Sequence, residues 1–518
     1  MPLDLDRATL GGLLSRNASR WPEKTAMIGE HRTWTWAELD AEVDAVAVMW
    51  ERAGLRPGDA VAFVLNKRPE VVIGFLACAR AGMVYAPVNH KLPAANNEDQ
   101  LRTANVAAMV LQHELDRELA GIAELPAARW YVGPEGIHGG SLWADHERFA
   151  GQKPRFEADP DTVCYYNYTS GSTGRPKGAV TTHRNVLVNA VATAEGLGFR
   201  ADDVYLGMFS VFAHPHELFH RSILDGGAFV ILDTLSPRIV AETIARHRVT
   251  WMMAVPSFYE MLLESRNQHS HDLGSLRVLE SGGAYVSGDT LARMEEAFSA
   301  VFLPVWGSTE TTGVGLGMAA GGERRDGSTG RVIPGYEIKV LDESGALAAV
   351  GEVGELHIRG PAVVSGYVGQ PEETAQQFSD GWYATRDLVR VDADGFVWFS
   401  GRRSEMLKIG GIRVFPLQIE VVLKQHPEVR DVVVVRAEER LRGEIARAIL
   451  STVSGSSLTI RGVQAWCRER LALYMVPRIV EFWAEVPKLP NGKIDKRRVL
   501  DVAPDPGRDE RTLEREPS

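Results

Sequence analysis

Cysteine is scarce in this chain of 518 residues. Its three cysteines, Cys78, Cys164 and Cys467, are an odd number and have no metal-ligand spacing. They argue against a disulfide framework and a zinc site, and they are typical of reduced thiols. Long apolar runs are also missing, since no segment approaches the ~18 residues of a membrane helix. The first ten residues, MPLDLDRATL, lack the apolar core of a secretory signal, so we expect a cytoplasmic protein without a membrane span.

Positive charge is in deficit, because the net charge is −11, and this argues against a nucleic-acid partner. The deficit is uneven: residues 401–500 carry 19 basic and 11 acidic side chains. A basic module on an acidic body suits a unit that closes over an anionic, phosphorylated ligand. A solvated basic face explains the charge equally well, so charge alone leaves both interpretations open.

Short β-rich runs alternate with helical stretches from about residue 57 onwards, as in DAVAFVLN, EVVIGFLACARAG and MVYAPVN. This alternation predicts an α/β fold with doubly wound sheets in a large N-terminal domain, residues 1–400. Frequent glycine and proline with short strands predict a β-rich subdomain at about 327–400. A compact pattern then predicts a small α+β C-terminal domain at 401–500. The polar, charged residues 501–518 predict a disordered tail.

The strongest chemical signal is the segment YTSGSTGRPKG, Tyr168 to Gly178, which follows the strand-like TVCYYN. Small hydroxyl residues and glycines allow backbone N–H groups to surround phosphate oxygens, and Lys177 adds a positive charge. The P-loop template of kinases and ATPases requires G-x-x-x-x-G-K-[ST]. Lys177 lies instead between Pro176 and Gly178, so that template fails and the segment predicts phosphate binding of another kind.

Together with several later motifs, this loop resembles the adenylate-forming superfamily, which contains acyl- and aryl-CoA synthetases, luciferases and the adenylation domains of peptide synthetases. The resemblance runs from about Trp21 to Leu500 and keeps the order of the family's motifs. It implies a C-terminal domain that moves between two reaction steps. It also implies that the loop holds the β- and γ-phosphates of ATP through Thr169, Ser170, Gly171, Ser172, Thr173, Gly174 and Lys177.

The segment LRVLESGGA, Leu276 to Ala284, resembles the strand and turn that line the adenine pocket and one wall of the acyl pocket. The resemblance implies that Gly282 faces the acyl group and that Gly283 and Ala284 face the nucleotide. Taken alone, the segment is a strand-to-turn corner of a common kind.

The segment VWGSTETTG, Val305 to Gly313, resembles a more specific motif. Trp306 would stack on adenine where the family usually has Tyr, because a flat indole can do the same. Thr309 would contact the α-phosphate, and Glu310 would hold Mg²⁺, which favours carboxylate oxygen. Gly307 stands where the acetate-specific branch has a Trp that closes the acyl pocket. The resemblance therefore predicts an acid larger than acetate or propionate.

The segment from Trp382 to Arg402 resembles the stretch whose aspartate binds both ribose hydroxyls. Asp387 is that residue, and a carboxylate that accepts two O–H bonds suits a cis-diol. Arg402 matches an arginine that contacts the nucleotide. Arg386 departs from the family, which normally has glycine there.

The C-terminal domain would supply one group to each of the two steps. Lys408, Gly410 and Gly411 match the loop that enters the site for the second step, and Arg413 matches an arginine of some branches. Ser404 stands at the hinge, where the family usually has Asp or Lys. In LPNGKIDKRRVL, Lys493 matches the adenylation lysine, a cation between the attacking carboxylate and the polyphosphate.

The segment SVFAHPHELFH fits the family poorly. The family has a Phe-His pair here, whereas His214 is shifted relative to Phe212, and His216 and Glu217 add polarity. Two interpretations stay open. His214 gates the acyl or thiol tunnel, or the segment is a helix start with solvated histidines and Glu217 in its first turn.

The resemblance implies a reaction in two steps. A carboxylate attacks the α-phosphorus of ATP with Mg²⁺ and gives acyl-AMP and pyrophosphate, and coenzyme A then takes the acyl group. The implied substrate is a medium-sized aliphatic, cyclic or aromatic acid, and the implied state is a monomer or homodimer. A ligase that loads a carrier protein and a non-catalytic nucleotide-binding relative remain as alternatives.

Overall fold

The computed structural model describes residues 3–119, 121–122, 124–133, 141–169, 176–268, 271–282, 286, 288–410, 412–439, 443–488, 494–506 and 508–510. No helix in these ranges combines the length and the apolarity needed to cross a bilayer. Four sheets organise the described residues.

The first sheet has nine strands in the order β16-β15-β14-β13-β12-β10-β11-β1-β2. The six strands from β14 to β1 in this order are mutually parallel, whereas β2, β15 and β16 are antiparallel to their neighbours. The strands are β1 (Thr25–Ile28), β2 (Thr33–Thr35), β10 (Val204–Gly207), β11 (Ala228–Val230), β12 (Trp251–Met253), β13 (Val278–Gly282), β14 (Val301–Ser308), β15 (Gly313–Gly317) and β16 (Arg331–Val332).

The second sheet has seven strands in the order β7-β6-β5-β3-β4-β8-β9, and only the pair β8–β9 is antiparallel. All five residues of β3 are buried, as expected for a parallel strand covered on both faces. The strands are β3 (Ala60–Val64), β4 (Val84–Pro87), β5 (Val106–Gln112), β6 (Ala128–Val132), β7 (Ser141–Leu142), β8 (Val163–Thr169) and β9 (Lys177–Thr182).

Local sequence signals set the ends of several helices. Thr35 and Glu38 form a reciprocal capping box at the start of α2, and Pro69 opens α3, which ends at the left-handed Gly82 (φ 68°). The helices are α1 (Leu10–Arg20), α2 (Trp36–Arg52), α3 (Pro69–Ala81), α4 (Ala94–Thr103), α5 (His183–Leu197), α6 (Ser222–Asp225), α7 (Pro237–His247), α8 (Pro256–Gln268), α9 (Gly288–Phe298), α10 (Pro371–Gln377), α11 (Pro416–Lys424), α12 (Ile460–Arg468) and α13 (Lys496–Leu500).

The third sheet is antiparallel and lies in the region predicted to be rich in β-structure. Its strands are β17 (Glu337–Leu341), β18 (Val353–Arg359), β19 (Phe378–Ser379), β20 (Trp382–Val391) and β21 (Val397–Arg402). The sheet starts about ten residues later than the predicted residue 327, because β16 pairs with the nine-stranded sheet instead.

The fourth sheet lies in the predicted C-terminal domain, where helices α11, α12 and α13 accompany five strands. The strands are β22 (Leu407–Ile409), β23 (Ile412–Val414), β24 (Val429–Glu439), β25 (Gly443–Thr452) and β26 (Ile479–Phe482). The third sheet therefore ends at Arg402 and the fourth begins at Leu407. The division of the chain into domains at residues 400 and 401 remains a proposal.

The tail after Leu500 corrects one prediction. Residues 501–506 and 508–510 pack on the fourth sheet: Asp505 N–H donates to Glu481 Oε1 (2.9 Å), and Val502 O accepts from Arg447 Nη1 (2.8 Å). The predicted disorder is wrong for these residues, because the buried Arg447–Glu481 ion pair binds the tail backbone, which composition does not reveal. Residues 511–518 lie outside the described residues.

The carboxyl ends of the two large parallel sheets meet. Lys67, which follows β3, donates from Nζ to the carbonyl of Gly207 at the end of β10 (2.9 Å). Tyr165 on β8 is hydrogen-bonded to His216 in the segment after β10 (2.7 Å). Ligands of open α/β sheets bind outside the carboxyl ends of the strands, so this junction is where a site is expected.

Candidate active site

The predicted phosphate loop connects the antiparallel strands β8 and β9. Thr169 and Lys177 are paired across this hairpin, and Lys177 is buried. Lys177 Nζ donates to Glu373 Oε2 on α10 at 2.5 Å and lies 5.4 Å from the centre of the Tyr367 ring. The hydrogen bond from Lys177 lowers the pKa of Glu373. The loop residues Ser170, Gly171, Ser172, Thr173 and Gly174 lie outside the described residues.

Glu310, the predicted magnesium ligand, is buried in the turn between β14 and β15. Tyr367 Oη donates to Glu310 Oε1 at 2.6 Å and lies 3.2 Å from Gln377 Oε1. Burial and the neighbouring Glu310 carboxylate raise the pKa of Tyr367. Gln377 Nε2 in turn donates to Glu373 Oε2 (3.4 Å), the partner of Lys177. One chain of contacts thus joins the predicted phosphate lysine to the predicted metal carboxylate.

Three members of this chain of contacts, Tyr367, Glu373 and Gln377, were missed from the sequence. They lie in the segment GYVGQPEETAQQ, which reads as an ordinary helix start with proline at its first position. No residue pattern in the segment indicates phosphate or metal chemistry. Antiparallel contacts, among them those of Ala179 and Val180 with residues 366 and 367, bring it beside β9.

The predicted nucleotide residues come together at the junction of the first and third sheets. Trp306 Nε1 donates to Asp387 Oδ2 at 2.8 Å, and Arg402 Nε lies 3.3 Å from Asp387 Oδ1. Burial raises the pKa of Asp387. Among the described residues, Asp387 Oδ1 accepts no hydrogen bond of good geometry although it is buried. A buried acceptor of this kind fits the ribose hydroxyls of a nucleotide.

Arg386, which replaces the family's glycine, has a left-handed backbone with φ 61°. It lies in a bulge, because the pairing of β18 with β20 shifts register between Glu355 and His357. Glycine suits such a position, since any side chain there is strained. The exposed Arg386 still adopts it, with its positive charge near Glu373 and Tyr367.

Gly307 is exposed, but β15 limits what can replace it. A Cβ atom at position 307 would lie 2.3 Å from the carbonyl oxygen of Gly313 and 2.8 Å from Val314 Cα, so β15 blocks a side chain in that direction. The open acyl pocket beside Gly307 stays a prediction. Glycine is required by the close approach of β14 and β15, whose pairing shifts register at residues 306 and 307. At Gly282 a Cβ atom would meet Val305 Cγ2 at 3.3 Å. Gly283 and Ala284 lie outside the described residues.

The segment with the unmatched histidines packs against β8. His214 has φ 56°, its N–H donates to Asn167 Oδ1 (3.0 Å), and its Nδ1 lies 3.8 Å from Glu217 Oε1. His214, His216 and Glu217 lie close enough to suggest a metal site. However, both ring nitrogens of the fully buried His216 are engaged, with Tyr165 Oη (2.7 Å) and Thr312 O (3.0 Å). The interpretation as solvated histidines is therefore wrong for His216.

Glu217 is the unusual acid of this segment, because it is buried beside Gly313. Burial raises its pKa to about 8. The positive charge of Arg221 opposes this rise, but Arg221 is already held by Glu280 in a buried, bidentate ion pair. Glu217 therefore carries a proton at neutral pH.

The C-terminal candidates lie on an exposed hairpin formed by β22 and β23. Lys408 pairs across it with Arg413, and its N–H donates to Glu444 Oε2 (2.6 Å). Arg413 Nη1 lies 3.2 Å from the exposed Glu343, and Gly410 has φ 58°. No described contact joins this hairpin to Lys177 or Glu310 in the ranges given above. Gly411 and Lys493 lie outside the described residues.

Comparisons with known proteins agree with this geometry. The profile of the AMP-binding enzymes matches residues 14–368, and the profile of the AMP-binding enzyme C-terminal domain matches residues 418–493. The chain is 32% identical to a feruloyl-CoA synthase of Amycolatopsis sp over 492 residues, covering 92% of this chain and 97% of the relative. It is 30% identical to a fatty acid–[acyl-carrier-protein] ligase, ScoC of Streptomyces coeruleorubidus, covering 95% and 96%.

A solved structure of similar architecture is the anthranilate CoA ligase AuaEII in complex with anthranoyl-AMP. The TM-score is 0.89 at 26% identity, and the match covers 97% of this chain and 98% of that one. The likeness therefore extends over nearly the whole chain. The chain belongs to the family of AMP-binding enzymes.

Proposed function

We propose that this AMP-binding enzyme activates a medium-sized or aromatic carboxylic acid, and that the network from Lys177 to Glu310 holds the triphosphate of ATP. The reaction is that of an AMP-forming acid–thiol ligase. The acid becomes acyl-AMP with release of pyrophosphate, and coenzyme A then takes the acyl group. The names of the feruloyl and anthranilate relatives support an aromatic acid.

The observation that carries the proposal is a chain of hydrogen bonds, through Tyr367 and Gln377, that joins the buried cation to the buried carboxylate. The cation is Lys177 and the carboxylate is Glu310. Lys177 would exchange Glu373 for phosphate oxygens, so its charge is already desolvated and aimed when ATP arrives. Glu310 would hold Mg²⁺, which commonly takes one carboxylate together with substrate phosphates. The ion, when bound there, neutralises phosphate charge. Thr309, which is buried beside Glu310, would face the α-phosphate.

The second part of the proposal concerns the nucleoside. Asp387 would accept the two ribose hydroxyls through its carboxylate, and Trp306 would stack on adenine while its N–H fixes that carboxylate. Arg402 balances the charge of Asp387. Binding and charge placement would do the catalytic work, because no acid–base pair is needed when a carboxylate attacks phosphorus directly.

A pyrophosphate-release assay with ferulate, anthranilate, hexanoate and acetate tests the proposal. We expect AMP and pyrophosphate with at least one of the larger acids, and little with acetate. Products ADP and phosphate would contradict the proposed reaction. An Asp387→Ala variant should raise the KM for ATP, and Asp394→Ala, which changes an exposed aspartate in the turn between β20 and β21, is its matched control.

The acceptor is tested separately, because one relative loads a carrier protein. Transfer from acyl-AMP to coenzyme A should exceed transfer to a phosphopantetheinylated carrier protein. The cytoplasmic location, the monomeric or dimeric state and the movement of the C-terminal domain remain predictions from the sequence.

A further inference from the structure

His216 lies where two parts of the proposed site meet. It is fully buried in the segment between β10 and α6, which matches the Phe-His motif of the family poorly. Tyr165 packs its ring 5.3 Å from the ring of His216. The imidazole therefore lies against one face of β8, beside Tyr165. Tyr165 is four residues before the end of this strand, where the phosphate loop begins.

The two hydrogen bonds of His216 fix its state. Thr312 O can only accept, so Nε2 carries the proton and donates to it (3.0 Å). Nδ1 then accepts from the hydroxyl of Tyr165 (2.7 Å). Burial keeps the pKa of His216 well below its ordinary value, so the ring is neutral and both bonds persist across the physiological range.

The Thr312 carbonyl belongs to a tightly held turn that carries Thr309 and Glu310. Thr312 has φ 55°, which is strained for a β-branched residue. Its hydroxyl donates to Ala362 O (2.6 Å), and Tyr336 Oη donates to Thr311 O (2.6 Å). These contacts tie the turn to segments that flank the third sheet, whereas His216 ties it to β8 in the second sheet.

A second contact strengthens the same connection. Asn167, two residues after Tyr165 on β8, accepts the N–H of His214 and lies on the same face of the strand. The carboxyl of Glu217 then fills the space beside Gly313 at the end of the turn. The whole segment from His214 to Glu217 thus lies between β8 and the turn.

We propose that His216 is a positioning residue that sets the turn carrying Glu310 against the strand that opens the phosphate loop. It acts through Tyr165 and Thr312 and touches no substrate itself. The inference rests on the proposed roles of Glu310 and the loop. Loss of this positioning should affect one part of the ligand only. The metal-bound triphosphate needs the turn and the phosphate loop at the correct distance from each other, whereas the nucleoside contacts of Trp306 and Asp387 do not.

The test compares two ligands by calorimetry with the full-length protein. α,β-Methylene-ATP with Mg²⁺ reports the triphosphate part, and adenosine, which has no phosphate, reports the nucleoside part. His216→Phe keeps an aromatic ring but loses both hydrogen bonds, and should weaken α,β-methylene-ATP about tenfold or more. Its affinity for adenosine should not change. His216→Gln can accept from Tyr165 and donate to Thr312, and should restore most of the affinity.

Tyr165→Phe provides a milder variant if His216→Phe does not fold, and should weaken the same ligand by a smaller factor. Unchanged α,β-methylene-ATP affinity in both Phe variants would overturn the inference. An equal loss for adenosine would also overturn it, because it would indicate general structural damage. A native enzyme that binds both ligands but releases no pyrophosphate with any acid would instead contradict the proposed function.

Discussion

The two sets of candidate residues differ in how they are held. Lys177, Glu310 and Asp387 are buried, and each is held by hydrogen bonds before any ligand arrives. Lys408 and Arg413 lie exposed on a short hairpin, where they contact Glu444 and Glu343. Groups that are fixed in advance can stabilise developing charge without reorganisation, whereas an exposed hairpin can only act after it moves. The comparison predicts that the two sets serve different half-reactions.

The largest expected effect is on the buried set. Glu310→Gln removes the charge that would hold Mg²⁺ but keeps the hydrogen bond from Tyr367, and should slow adenylation about 10²–10³-fold. Thioester formation from supplied acyl-AMP should remain largely intact. Single-turnover measurement of each half-reaction checks this, with Glu343→Gln as an exposed control. Equal losses in both half-reactions would break the comparison.

The two lysines of the C-terminal domain come next. Lys493→Ala should slow adenylation by ~10²-fold, the effect of losing one charge at the reacting phosphate. Lys408→Ala should instead impair the second half-reaction, by about tenfold or more, because its hairpin is expected to enter the site only then. Rapid-quench assays of the two steps measure both variants. If Lys408→Ala impaired adenylation more than thioester formation, the assignment of the hairpin would be wrong.

A smaller effect is expected on stability, through Glu217. Its pKa rises from an ordinary 4.5 to about 8 on burial, with Arg221, Glu280 and His214 as the charged or titratable neighbours. The folded protein therefore holds a proton that the unfolded chain releases. The stability linked to this group is complete below pH 4.5, decreases as the pH rises and is lost above pH 8.

Glu217→Gln mimics the protonated form and should remove this loss. The difference in Tm between variant and native protein should be near zero at pH 5 and should grow towards pH 8.5. It should correspond to a few kcal/mol at most. Glu296→Gln on the exposed side of α9 is the control. A difference that does not depend on pH would show that Glu217 is ionised in the fold.

The smallest effect concerns two left-handed positions, Arg386 (φ 61°) and Gly410 (φ 58°), one in each set. Arg386→Gly relieves backbone strain but increases the freedom of the unfolded chain, so the two terms should cancel to within ~1 kcal/mol. Gly410→Ala should lower the free energy of unfolding by ~1 kcal/mol, because alanine is strained in a left-handed backbone conformation. Denaturation curves of the two variants measure this contrast. A large loss of stability in Arg386→Gly would show that the arginine makes a stabilising contact.

The sequence predicted the parts of the site whose chemistry needs a particular residue type. Asp387 on β20 pairs with Arg402 at the end of β21, and Trp306 on β14 reaches the same carboxylate from the first sheet. Tyr367 and Glu373 could not be found this way, since tyrosine and glutamate in a helix start have no chemical signature before the chain is folded. Only the folded pairing of residues 366 and 367 with β9 reveals them.

Two further features were missed for physical reasons of the same kind. At Gly307 the absence of a side chain suggested only an open acyl pocket, but glycine is also required there because Gly313 lies too close for a Cβ atom. At His216 a polar ring suggested solvent, but Tyr165 and Thr312 satisfy both nitrogens in the interior. In each case the partner is more than five residues away in the chain, and for His216 it is ~50 to 100 residues away, beyond the reach of local patterns.

The packed tail has a practical consequence. Every motif of the family ends by Leu500, so a chain shortened there would look complete. It would nevertheless lose Val502, Asp505 and Arg508, which cover the Arg447–Glu481 pair. Water would reach two charges that are buried against the fourth sheet. This sheet, which also carries Lys408, would become less stable. The described residues after Leu500 therefore protect this ion pair from water, and shortened versions should keep at least residue 510.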